Sequence, residues 1–209
     1  MGIVGGLAVE GIFFYWFMWL AWIVSTFLMK KGKMRLMMSF FILFTIVISK
    51  FYMEIGQFNI RVSLLLFLCM GYYLVVKQKG RKTFIFYMSS FTLTFAYSGI
   101  LLFRIYDPVW FVFDYRLIIS IIISLLAIYL VKQTIQKYAL YIISVCQGEF
   151  IYCFIMGEFH NGLIIGTSAF LDIVVIGCSI IYLWSITQHI ILLIEQSIQK
   201  PAKGEARLK

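Results

Sequence analysis

The chain has 209 residues, of which 63% are hydrophobic and 19% aromatic, and only 13% carry charge, about half of the roughly 25% usual in a soluble domain. No single water-soluble core hides that much apolar surface, and crossing hydrocarbon takes about 20 residues at 1.5 Å each. A soluble enzyme, a nucleic-acid-binding module despite the net charge of +9, and a disulfide-stapled secreted domain are all excluded, leaving a polytopic membrane protein.

Hydropathy predicts an all-α bundle of seven transmembrane helices. In chain order they run from Gly11 to Met29, Leu36 to Met53, Phe58 to Val76, Thr83 to Phe103, Val109 to Val131, Tyr138 to Gly157 and Gly162 to Ser185. In the second and third, Lys50 and Arg61 sit a few residues inside and are expected to snorkel to the interface. Asp107 before Pro108 reads as an N-cap and N1 pair, which places the start of the fifth helix there. Beyond Ser185 the apolar residues Ile186, Ile190, Leu193, Ile194 and Ile198 recur at helical spacing. Residues 186–200 therefore read as an amphipathic cytoplasmic helix, or else as the continuation of one long seventh helix. Residues 201–209 are polar and basic and read as a flexible tail.

The cations choose the orientation. With the amino terminus outside and the carboxyl terminus in the cytoplasm, the inner segments hold fourteen Lys and Arg and the outer side four: Lys50, Arg61, Arg104 and Arg116. Cytoplasmic segments carry the excess of Lys and Arg, so this arrangement is the expected one in the cell membrane. The basic inner turns can also attract anionic lipid.

Two carboxylates fall deep within apolar helices: Glu149 in the sixth and Asp172 in the seventh. Counted from the outer helix ends, their depths are about 12 and 15 Å, so the two can be neighbours. The fifth helix brings Asp114 and Arg116 into the same half of the membrane, which makes an acid, acid and arginine cluster the sharpest feature of the chain. Ser168 shares the side of Asp172, and Thr94 lies on a hydroxyl stripe of the fourth helix with Ser90 and with Tyr97 or Ser98. One reading makes these residues the lining of a cavity for a cation, proton or small polar solute. The other makes them packing elements, with hydroxyls bonded to carbonyls and an arginine neutralising the acids. Gly162, Gly166 and Ala169 form a small-residue stripe along the start of the seventh helix, suited to close helix packing.

The motifs of familiar chemistry are missing. No GxSxG, HExxH or P-loop is present, and no CxxC or His and Cys cluster suggests a metal, so neither catalytic residues nor a cofactor are expected.

The start Glu10-Gly11-Ile12-Phe13-Phe14-Tyr15-Trp16, with Trp19, Trp22, Thr26 and Phe27 and the basic Met29-Lys30-Lys31, resembles the YphA family of small Bacillus integral membrane proteins. That resemblance implies an inner-membrane protein of a spore-forming bacterium, made during sporulation and concerned with the spore envelope. Together with the missing motifs, it leads to the expectation of a non-enzymatic protein acting by interaction with an unidentified protein partner in envelope assembly. The alternative is a small transporter, channel-like protein or solute-binding subunit using the acidic pair.

Overall fold

A computed structural model describes residues 10–55, 58–76, 83–111, 113–157 and 163–199. The apolar stretches form seven α-helices among the described residues: α1 (Ile12–Ile23), α2 (Lys33–Ile48), α3 (Val62–Val76), α4 (Thr83–Tyr106), α5 (Tyr115–Leu130), α6 (Thr134–Gly157) and α7 (Ser168–Gln199). Val24–Leu28 prolongs α1 as a π-helical turn, and Met29 ends it in an extended conformation. Three helical stretches, Phe84–Tyr106, Thr134–Gly157 and Ser168–Gln196, are long and apolar enough to cross a membrane; Ile12–Leu28, Val62–Val76 and Tyr115–Leu130 are shorter apolar helices.

The structure corrects several helix ends. The second expected span ran to Met53, but α2 stops at Ile48, where the Ser49 hydroxyl donates to Ile46 O at 2.7 Å. Its 16 residues extend about 24 Å, short of a hydrocarbon layer of about 30 Å. The chain then turns into strand β1 (Tyr52–Ile55), antiparallel to β2 (Phe58–Arg61) with Met53 opposite Ile60. A short strand β3 (Ile164–Ile165) joins β2 in parallel, Ile60 opposite Ile165. The third expected span is thus a strand followed by α3. Aromatic and branched residues alternating with polar ones suit a pleated ribbon, whose ladder pairs backbone groups that a further turn of α2 would otherwise have paired.

Asp107 does cap, but it caps only the single 3-10 turn Pro108–Trp110, accepting from Val109 N at 3.2 Å. The fifth helix starts instead at Tyr115, because Asp114 accepts from Arg116 N at 3.0 Å and also binds the Arg116 side chain. Helix α6 begins four residues before the expected Tyr138, and α7 begins at Ser168, not Gly162. Of the two readings for the stretch after Ser185, the continuous helix is the one observed: α7 runs unbroken for 32 residues, Ser168–Gln199, about 48 Å at 1.5 Å each. The expected tail, 201–209, lies outside the described residues.

Helix α6 is the axis of the bundle. It packs against α3, α4, α5 and α7, while α1 docks on α2 and α7. The stretch from Ala139 to Cys146 is wholly buried. Two of its contacts depend on glycine: a Cβ on Gly148 would stand 3.0 Å from Thr94 O on α4, and one on Gly177 of α7 would collide with the ring and hydroxyl of Tyr141. The outer surface is apolar and aromatic, with Trp16, Phe27, Phe40, Tyr129 and Phe154 well exposed, as a lipid-facing surface requires.

Candidate functional site

The first amide groups of a helix have no partner within it and are normally capped by a local Ser, Thr, Asp or Asn. Helix α1 is preceded by Gly11, which has no side chain with which to cap. Its cap comes from the other end of the chain: Asp172 of α7 accepts Gly11 N on Oδ2 and Phe14 N on Oδ1, each at 2.8 Å. These are the N-cap and N3 amides, the two that a capping box satisfies within one helix.

The same carboxylate holds α5. Arg116 Nη1 donates to Asp172 Oδ2 at 2.6 Å, while Arg116 Nε donates to Asp114 at 2.9 and 3.0 Å. Arg116 and Asp172 are 3% and 0% exposed, so the arginine bridges a sealed acid and the partly open Asp114. The guanidinium also lies 5.4 Å from the ring centre of Phe13 on α1. Three helices from opposite ends of the sequence therefore meet on one charge network. One turn deeper, Ser120 and Tyr141 both donate to Ile173 O, at 3.2 and 2.7 Å, and bring α5 and α6 onto α7.

Glu149 does not join this network, and the expected cluster of two acids with one arginine divides in two. Glu149 accepts from the Tyr97 hydroxyl of α4 at 2.8 Å. Gly166 and Thr167, just before α7, turn their backbone toward the same carboxylate. Positive partial charge at a helix start favours an acid there. Thr167 itself caps α7, accepting from Phe170 N at 3.3 Å. Residue counts from Gly162 set Asp172 about 15 Å along its helix, but α7 starts at Ser168 and puts it about 6 Å in; the rotation that turns Glu149 toward α4 and Asp172 toward α1 and α5 was not legible either.

The remaining predicted residues fall between these two centres. Ser168 accepts from both terminal nitrogens of Arg61 at 3.2 Å. Arg61 was expected to snorkel outward, yet it is 6% exposed, bonded to the Tyr52 hydroxyl, with its Nε unpartnered. The strand carrying it aims the side chain inward, where a helix would have offered another direction. Thr94 donates to Ser90 O at 2.8 Å and lies 3.2 Å from Gln147 Oε1, whose amide nitrogen donates to Tyr72 at 2.7 Å. Gly166 stands in the turn before α7 with φ +82°, a left-handed conformation suited to glycine, against Leu64 and Arg61. The stripe is therefore not helical at Gly166; Ala169 is buried on α7, and Gly162 lies outside the described residues.

Sequence reasoning missed Gly11, Phe14, Gln147 and Tyr72 as members of the polar framework, and it placed Tyr97 on the polar stripe of the fourth helix without pairing it with Glu149. A helix whose N-cap position is glycine was one signal; a glutamine two residues before Glu149 was another.

An all-helical membrane bundle whose first, fifth and seventh helices are joined by a buried ion pair is the class these features define. The chain belongs to the family of YphA-like integral membrane proteins, which matches residues 10–207. It is 28% identical over 199 residues to the uncharacterized protein YphA of Bacillus subtilis strain 168, covering 95% of this chain and 99% of that one. No solved structure matches it.

Proposed function

We propose that the protein is a non-enzymatic, multi-pass component of the bacterial cell membrane that acts by interaction, with seven spans, the amino terminus outside and the carboxyl terminus in the cytoplasm. The observation that carries this reading is the satisfaction of the buried acids by the chain itself. Asp172 and Glu149 are 0% and 4% exposed and are bonded to Arg116, Tyr97 and backbone amides of their own bundle. Groups so engaged hold helices together, and a transported cation would have to displace those donors. The orientation is supported by the fourteen inner cations against four outer ones. A place in envelope assembly, including that of the spore, is the finer form of this reading and rests on the family resemblance.

The test compares Glu149→Gln and Asp172→Asn with the parent in native membranes, after crosslinking to recover neighbours and after deletion with phenotyping in growth and sporulation. Specific crosslinked partners, and variants whose defects follow protein abundance, support interaction. Variants that accumulate normally but lose a proton-dependent flux or a solute-binding signal would establish the small transporter or solute-binding subunit instead. Accessibility labelling of cysteines placed at Lys31 and Lys132 tests the orientation: both belong on the cytoplasmic side.

A further inference from the structure

At the end of the bundle where α5 passes into α6, a cleft of about 220 Å³ opens between these helices and the start of α4. Its volume is roughly seven times the ~30 Å³ share of one water molecule. Phe86 and Leu130 give it an apolar floor, and Lys132, Gln133 and Gln136 supply donors around it; Ser89 also lines it, its hydroxyl donating to Ile85 O at 2.9 Å. Lys132 is exposed and has no carboxylate partner: among the described residues the ion pairs are those of Arg116, far along the helices from this end. Nearby on α6, Lys137 is 3% exposed, and its ammonium reaches only the neutral Gln188 Oε1 at 3.5 Å.

The inner segments as a whole hold fourteen cations against two acids, Glu195 and Glu205. Their counter-charge must come from outside the chain, and a cleft that joins apolar floor to ammonium and amide donors matches a molecule that is apolar at one end and anionic at the other. We propose that this cleft binds an anionic glycerophospholipid, its phosphate against Lys132, Gln133 and Gln136 and the first part of an acyl chain over Phe86 and Leu130. A free phosphate would use the donors but leave the apolar floor uncovered. The inference goes beyond the interaction reading and needs neither a protein partner nor the membrane orientation, since the binding test is made in micelles.

The test uses the purified full chain in a neutral detergent, titrated with phosphatidylglycerol or phosphatidylcholine and read by thermal midpoint and by native mass spectrometry of retained lipid. The expected result is a preference for phosphatidylglycerol that falls about fivefold in Lys132→Gln, the factor of ~1 kcal/mol per basic residue near an anionic lipid. Lys132→Arg should keep the preference, as should Lys31→Gln in a different turn. Ser89→Phe fills the cleft without changing charge and should abolish retention. Retained preference in Ser89→Phe, or an unchanged preference in Lys132→Gln, would overturn the site. So would displacement of the lipid by glycerol phosphate at equal concentration, which would leave the apolar floor without a part in binding.

Discussion

Substituting Asp172 by Asn keeps the shape of the side chain while removing its charge and one of its two acceptor oxygens. Three donors converge on that carboxylate: Gly11 N, Phe14 N and Arg116 Nη1, at 2.8, 2.8 and 2.6 Å. The amide nitrogen of asparagine must then face at least one of them, donor against donor. The two backbone bonds alone are a small matter, since interhelical hydrogen bonds in membranes average about 0.6 kcal/mol. The charge decides the outcome, because breaking a buried ion pair by neutralising one partner costs about 3 to 5 kcal/mol. Arg116 keeps Asp114 on its other side, which places Asp172→Asn at about 3 kcal/mol; Asp172→Ala, which strands all three donors, belongs near 5. Losses of that size are a large part of a total stability of about 5 to 15 kcal/mol. Denaturant unfolding in micelles, followed by tryptophan fluorescence, measures the change; Trp16, Trp19 and Trp22 all lie on α1, the helix that loses its cap. A cysteine at Ile12 should become more reactive in Asp172→Asn at denaturant concentrations too low to unfold the bundle. An unfolding free energy within about 0.5 kcal/mol of the parent, the usual effect of a surface change, would refute the account of Asp172 as a charged tertiary cap.

The close approach of α6 and α7 predicts that Gly177→Ala costs about 1 to 3 kcal/mol by overpacking against the Tyr141 ring and hydroxyl, and that adding Tyr141→Leu restores part of it; detergent-resistant folding by size-exclusion chromatography reads both. Gly99 on α4 has nothing within 4 Å of its Cβ position, so Gly99→Ala should leave stability unchanged or raise it by up to about 1 kcal/mol, and a loss would count against the packing described for α4. Tyr97→Phe removes the hydroxyl that bonds Glu149 at 2.8 Å and should cost about 1 to 2 kcal/mol of unfolding free energy, with Glu149→Gln in the same background adding little if the two residues act as a pair.

Membrane class, helical architecture and the family were legible in the amino-acid sequence, because apolar length and the distribution of Lys and Arg are properties that each segment has with respect to its solvent, whatever its neighbours do. The distance of Glu149 from the end of its helix was legible for a related reason, since rise along a helix is a fixed distance per residue; that of Asp172 was not, because α7 starts at Ser168 and leaves Asp172 four residues from the helix start. The tertiary structure alone decided which way each helix turns about its axis and therefore which partner each acid meets. Asp172 caps Gly11 across 161 positions and binds Arg116 across 56, whereas Glu149 turns to Tyr97. The strands after α2 belong to the same category, since Phe58–Arg61 takes its second neighbour, Ile164–Ile165, from a segment a hundred residues away, and no local pattern contains that contact.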